Sequence, residues 1–206
     1  MHITGERTRQ QQSLRTACDT LSGALEQADL NQDPDERYSF TREISSLREV
    51  AHGDHFILAV LDSIPQEAAN SEPGIQSEAG LQQRFRKVKQ ICKHVALVPE
   101  TGGGLGTYAL SYLRSFLTFD MWKHSSAVDS QVDPMDMDTF ELLQCAEILL
   151  HQGNMEGAIK FVNCLQGEPK RVAHDWLRDA RLHLETKQGI CLVQNYMAAT
   201  SFSIIQ

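Results

Sequence analysis

The sequence predicts an all-α protein, an antiparallel bundle of about six to eight helices with a terminal helical hairpin. Apolar residues recur every three or four positions through most of the 206 residues, and polar breaks separate these runs. Strand-like alternation persists nowhere, and the chain contains only six prolines. The hydrophobic fraction of 41% and the charged fraction of 22% are ordinary for a globular protein.

The first predicted helix is long and amphipathic and covers residues 6–28, before a turn at residues 31–34. We expect residues 1–30 to be an N-terminal helix near a coiled coil, followed by a bundle domain at residues 31–206. A stripe of this length exposes more apolar area than a monomer tolerates well, which favours a dimer contact. The candidate dimer residues are Leu14, Cys18, Leu21 and Leu25.

Further apolar stripes predict helices at residues 40–50, 56–64, 81–97 and 105–117, separated by polar or glycine-rich breaks. Residues 123–137 are rich in Ser, Asp and His and predict an exposed loop. The last third predicts three helices. The first begins after Asp138, the second after Asn154, and the third opens with Glu168 and Pro169 and continues to about residue 187.

The predicted helix at residues 81–97 carries a basic cluster that contrasts with the net charge of −8. Such a helix is able to lie on an anionic bilayer with its apolar face at the headgroup boundary. The alternative is a core helix whose charges are simply solvated. The candidate lipid-binding residues are Arg84, Arg86, Lys87, Lys89 and Lys93.

Composition and motifs argue against several other classes of function. The negative charge opposes general binding to nucleic acid. The five cysteines are scattered without a CxxC pair. No window approaches the roughly 18 consecutive apolar residues of a membrane span, and no signal peptide opens the chain, so we expect a soluble chain. His52-Gly-Asp-His55 reads as a turn rather than a metal site, and Gly102 to Gly106 lacks the ending of a P-loop. We therefore expect no enzymatic activity and no cofactor or metal.

The string AIKFVNCLQGEPKRVAHDWLRDARLHLETKQ, residues 158–188, resembles the C-terminal signature of the mitofilin family. Weaker similarity continues upstream, so the resemblance covers most of the chain. It implies a scaffold of the MICOS complex at crista junctions of the mitochondrial inner membrane, facing the intermembrane space. It also implies self-association, a CHCH-domain partner subunit and contact with an anionic phospholipid such as cardiolipin, through either residues 81–97 or the N-terminal helix at residues 1–30. Mitofilins have a presequence, a membrane span and a coiled coil ahead of this region, which suggests that the chain is a C-terminal fragment.

Aromatic and arginine residues are the favoured anchors of protein interfaces, and the signature contains several of them. The candidate partner-binding residues are Phe161, Arg171, Trp176 and Arg181, with Trp176 closer to a core residue than a contact. Three other readings remain open. One is a lipid-binding module centred on residues 81–97, another is a tetratricopeptide-like adaptor, and the last is a hydrolase that uses His52 and His55 with a metal.

Overall fold

A computed structural model of the chain describes residues 2–31, 33, 36–69, 74–96 and 137–202. The part described contains eight helices, which confirms the predicted all-α class. Three predicted segments lie outside the described residues. They are the helix at residues 105–117, the glycine-rich turn before it, and residues 123–136 of the predicted loop. The helices are α1 (His2–Leu30), α2 (Thr41–Val50), α3 (His55–Ser63), α4 (Gln66–Ala69), α5 (Glu78–Ala96), α6 (Thr139–His151), α7 (Met155–Asn163) and α8 (Gly167–Phe202).

Two short strands, β1 (Arg37–Tyr38) and β2 (Ile75–Gln76), pair in antiparallel register. The sequence did not predict them, because two residues are too short to show alternation. Gly74 permits this pairing. Its φ is +69°, and a Cβ there would lie 2.7 Å from the carbonyl oxygen of Tyr38. A side chain at this position would therefore force the two strands apart.

Side-chain caps begin two helices where the sequence predicted. Asp138 accepts the backbone N–H of Glu141 at 2.8 Å, and Glu141 accepts the N–H of Asp138, which forms a capping box. Asn154 accepts the N–H of Gly157 at 2.8 Å and caps α7. These caps place α6 and α7 on either side of a short turn, where they pack together as the predicted hairpin.

The chain divides into two compact units. Unit 1 comprises Met1–Gln83 and Asp179–Gln206, and unit 2 comprises Arg84–Arg178. The division does not fall at residue 30, where we expected it, because α1 belongs to the same core as α2, α3 and the C-terminal part of α8.

The core of unit 1 corrects the proposed dimer contact. Leu14 is 8% exposed, Cys18 3%, Leu21 0% and Leu25 6%. Their stripe packs within the chain, against buried residues that include Leu47, Ile57, Ile190 and Val193. Since the stripe is already covered, it offers no exposed apolar face to a second copy.

Helix α8 is longer than predicted and continues to Phe202 rather than ending near residue 187. Gly189 lies within it, and a Cβ there would lie 2.9 Å from Cγ1 of Ile64. This glycine therefore allows close packing on Ile64 rather than ending the helix. In unit 2, the ring centroids of Phe85 and Trp176 are 4.8 Å apart, and both side chains are fully buried.

Candidate functional site

The apolar stripe of α5 is part of the protein core. In unit 2, Phe85 and Cys92 are fully buried and Val88 is 9% exposed. Membrane insertion through this face would require the helix to leave its packing partners, Trp176 among them. The apolar face of α5 is therefore not accessible for the lipid contact predicted from sequence.

Lys89, one of the candidate lipid-binding residues, is buried rather than exposed as predicted. Its side chain is 10% exposed, and its Nζ lies 2.5 Å from Oε2 of Glu147 and 2.8 Å from Oε1 of Gln144 on α6. A lysine that is buried and paired in this way is not available to a lipid headgroup. The sequence could not show this pairing, because Glu147 is far from Lys89 along the chain.

The other basic residues of α5 differ in exposure. Arg86 and Lys87 are exposed, whereas Arg84 and Lys93 are half-buried. Burial lowers the pKa of Lys93 from its usual value, and the charge of Lys89 adds to this effect while Glu147 opposes it. Ile91, four residues after Lys87 on the same helical face, is 51% exposed. The exposed basic face of α5 thus consists of Arg86 and Lys87 beside one apolar side chain.

The candidate partner residues occupy different environments. Trp176 is fully buried, which makes it a core residue and corrects its place among the contacts. Phe161 on α7 is half-buried, and Arg171 on α8 is exposed and pairs with Glu168 at 2.7 Å. Arg181 is exposed too, but it belongs to unit 1 while the other candidates belong to unit 2. We define Phe161 and Arg171 as the docking pair of unit 2.

The HGDH segment forms a turn and a helix cap. Asp54 accepts the backbone N–H groups of Phe56 and Ile57, and it also accepts the hydroxyl of Tyr196 at 3.1 Å. His52 and His55 are both exposed. The carboxylate of Asp54 is thus occupied by these donors, and Gly53 in between adopts a φ of +95°, as expected of a turn.

A polar cluster in unit 1 was not predicted from sequence. It consists of Asp29 at the end of α1, Glu78 at the start of α5, and His183 and Lys187 on α8, and we call it the Asp29 cluster. The Nζ of Lys187 lies 2.7 Å from Oε2 of Glu78 and 3.4 Å from Oδ2 of Asp29. Its members come from distant segments, and each taken alone reads as an ordinary surface charge.

His183 is the buried member of the Asp29 cluster, and its side chain is 1% exposed. Its Nδ1 lies 3.0 Å from the carbonyl oxygen of Gln76. Its Nε2 has no hydrogen-bond partner among the described residues, and the nearest carboxylate oxygen, Oδ1 of Asp29, is 3.8 Å away. That distance is too long for a hydrogen bond.

Burial and the neighbouring charges together set the charge states of His183 and Lys187. Burial lowers the pKa of His183 from its usual value, against the opposing charge of Asp29 and the bond to Gln76. Burial also disfavours the charge of Lys187, but the hydrogen bond to Glu78 and the charges of Glu78 and Asp29 outweigh it, so the pKa of Lys187 is raised. A neutral imidazole therefore lies beside a charged ammonium and two carboxylates.

Comparison with known proteins decides the family. The model of the mitofilin family, described as a mitochondrial inner membrane protein, matches residues 3–198. The chain belongs to the mitofilin family. The resemblance seen in residues 158–188 therefore extends over nearly the whole sequence.

Among mitofilin relatives, the MICOS complex subunit Mic60 of Drosophila melanogaster is 36% identical over 161 residues, which cover 77% of this chain and 22% of the relative. The MICOS complex subunit MIC60 of Coccidioides posadasii (strain C735) is 31% identical over 183 residues, covering 89% of this chain and 25% of the relative. The chain thus spans about a quarter of the length of the relatives it matches. No solved structure matches it.

The mitofilin signature consists in large part of core residues. Val162, Ala173, Trp176 and Ala180 are all fully buried. The signature therefore identifies the packing of α7 and α8 more directly than it identifies a binding surface. Within the described residues, no helix is long and apolar enough to cross a membrane.

Proposed function

We propose that this chain is a non-enzymatic scaffold and assembly module of the MICOS complex, which forms and maintains crista junctions. In this role it acts at the mitochondrial inner membrane, on the side of the intermembrane space. The observation that carries the proposal is the mitofilin match over residues 3–198, together with relatives named as subunits of that complex. A helical domain with two compact units suits a role in assembly, since each offers its own surface.

A CHCH-domain subunit is the partner we assign to the docking pair. Phe161 is an aromatic residue that is only half-buried, and Arg171 projects from the first turns of α8 with an exposed side chain. A few residues supply most of the energy of a typical interface, and arginine and aromatic residues are enriched among them. The Arg171 pair with Glu168 is exposed on both sides, so breaking it costs little when a partner binds.

A pull-down with the purified CHCH-domain subunit tests this docking. Arg171→Asp is the main variant, because its exposed side chain allows the change without loss of fold. Phe161→Asp is the second variant, with helicity followed by circular dichroism. The matched control is Arg42→Asp, an exposed arginine on α2 in unit 1. We expect Arg171→Asp to weaken binding while the control retains it. Unchanged binding by a folded Arg171→Asp, or an equal loss in the control, would reject the docking pair.

Self-association is the second part of the proposal, and it must use surfaces other than the buried stripe of α1. Light scattering after size exclusion, at micromolar to tens of micromolar concentration, measures it directly. A mass that rises towards twice that of one chain supports self-association. A monomer at every concentration would contradict it for this length of chain.

Lipid binding through α5 is an alternative with narrower support, namely the exposed pair Arg86 and Lys87 beside Ile91. Each basic residue near an anionic surface contributes about 1 kcal/mol, so this pair alone gives only weak adsorption. Cosedimentation with cardiolipin-containing vesicles tests it, with Arg86→Glu/Lys87→Glu against the control Arg42→Glu, a change at an exposed arginine of unit 1. Loss in the double variant alone would favour the lipid role, and equal retention in all three proteins would exclude this pair.

A further inference from the structure

The Asp29 cluster has no part in the function proposed above, yet its geometry suits a ligand. One carboxylate oxygen from each of Asp29 and Glu78 and a ring nitrogen of His183 all lie within 4.8 Å of one another. They come from three separate helices of the chain. Acidic side chains alone often cluster at protein surfaces without binding a metal ion. A metal site here therefore depends on His183.

The hydrogen bond to Gln76 fixes the tautomer of His183. A carbonyl oxygen only accepts, so Nδ1 must carry the proton that it donates to Gln76 at 3.0 Å. In the neutral ring, Nε2 then presents a lone pair. This atom is buried and has no hydrogen-bond partner among the described residues. It faces Oδ1 of Asp29 at 3.8 Å, and a carboxylate has no proton to give it.

Nε2 of His183 is therefore a buried acceptor without a donor, and a cation between it and the partly exposed carboxylate of Asp29 would satisfy both groups. A histidine whose Nδ1–H is held by a backbone carbonyl, with Nε2 turned towards carboxylates, has the orientation that proteins use for metal ligands. Zinc bonds to imidazole nitrogen and carboxylate oxygen are about 2.0–2.2 Å long. At a tetrahedral angle two such bonds place the nitrogen and the oxygen about 3.4 Å apart, so the present 3.8 Å needs only a small approach.

Lys187 shows that the two carboxylates already attract a positive charge. Its ammonium contacts Glu78 and Asp29, but it makes no hydrogen bond to Nε2 of His183. The Lys187 side chain is 38% exposed, so it has a path to solvent along its flexible stem. A metal ion is therefore able to take its place without moving buried residues.

We infer that the Asp29 cluster binds a divalent transition-metal ion, Zn²⁺ above others, through Asp29, Glu78 and Nε2 of His183. Water completes the coordination, and the ammonium of Lys187 is displaced. Imidazole with carboxylates suits Zn²⁺ and Co²⁺ better than Ca²⁺ or Mg²⁺, which prefer oxygen ligands only. The bound ion joins the end of α1 to the start of α5 and to α8, all within unit 1, and stabilises that unit.

Titration of the untagged, chelator-stripped full chain with Zn²⁺ and Co²⁺ tests this inference. We expect one ion per chain, visible absorption from bound Co²⁺, and a higher melting temperature with Zn²⁺. Asp29→Asn and Glu78→Gln, whose side chains are partly exposed, should each weaken binding by roughly tenfold or more. Lys187→Gln should strengthen it, because the variant removes the competing cation.

The higher metal affinity expected of Lys187→Gln distinguishes a metal site from a purely structural ion pair. A purely structural role of the cluster predicts no gain in metal affinity. His52→Gln/His55→Gln is the matched control for binding at exposed histidines, and it should bind the metal as the unaltered chain does. Absence of stoichiometric Zn²⁺ binding at micromolar concentration would overturn the inference. So would binding that survives Asp29→Asn and Glu78→Gln but disappears in the double histidine variant. None of these readouts depends on a protein partner.

Discussion

The guanidinium of Arg37 lies 2.9 Å from the carboxylate of Asp179, whose side chain is only 2% exposed. The pair joins β1 to α8 within unit 1. Replacement of Arg37 by Met should destabilise the protein by about 3 kcal/mol, because it removes a guanidinium that offsets the charge of a buried carboxylate. Urea denaturation, followed by circular dichroism, measures the change in the free energy of unfolding.

A matched control for this prediction is the Arg48–Asp62 pair, which is shorter, at 2.7 Å, but has side chains 45% and 65% exposed. Arg48→Met should cost at most about 0.5 kcal/mol. If Asp179→Asn fails to recover part of the stability lost in Arg37→Met, the charge of Asp179 is not the cause of the loss.

Trp176 fills the core of unit 2 against Phe85. Trp176→Ala should reduce the free energy of unfolding by about 3–5 kcal/mol, the range for removal of a large buried aromatic side chain. The exposed Arg171→Ala should leave it nearly unchanged. A folded and fully stable Trp176→Ala would contradict this contribution of the ring to the core.

The contact between Gly189 and Ile64 predicts a coupled effect. Alanine favours helices over glycine by about 1 kcal/mol, yet Gly189→Ala should destabilise the protein by about 1 kcal/mol because its Cβ meets Ile64. In an Ile64→Ala background the same change should be stabilising, since the methyl group then fills the space. A double-mutant cycle by urea denaturation measures this coupling, and additive effects would refute it.

Thiol reactivity should separate the cysteines. Burial raises the pKa of Cys92 to about 11, and it also raises the pKa of Cys18 and of Cys145. Because the thiolate reacts, modification of folded Cys92 should be very slow at pH 8 and should accelerate as pH rises towards that value. Exposed Cys191 should react first. Mass spectrometry after timed alkylation gives the order, and early modification of Cys92 in the folded chain would contradict it.

The raised pKa of Cys92 also has a consequence for stability. Thiols in the unfolded chain ionise near their ordinary pKa of 9.0, below the value in the fold. The unfolded state therefore releases its proton first as pH rises. The stabilising preference for the neutral thiol is complete below pH 9 and is lost between pH 9 and about 11. Cys92→Ser measured over the same pH range isolates this contribution.

Most helices were predictable from sequence because their signals are local. The three-residue spacing of Ile44 and Leu47, and the four-residue spacing of Val88 and Cys92, reflect the buried face of each helix. Caps at Asp138 and Asn154 act within one turn of their own positions. The end of α8 was not predictable in this way. Gly189 reads as a helix stop until Ile64, 125 residues earlier, is known to occupy the space beside it.

The candidate sites were harder to predict, since each depends on a partner from a distant segment. Lys89 reads as exposed charge until Glu147 is placed beside it. The stripe of α1 reads as an interface until α2 and α8 cover it. His183 lies in the mitofilin signature, but nothing near it in sequence shows that Asp29 and Glu78 approach its ring.

The burial of Leu21 and its neighbours within unit 1 limits how this chain should be shortened for experiments. A fragment that begins at residue 31 would lack α1 and would open the apolar core that α1 shares with α2, α3 and α8. An uncovered surface of this kind adheres to many proteins and to lipid vesicles. Such a fragment would give false positives in the very binding assays for which it had been trimmed.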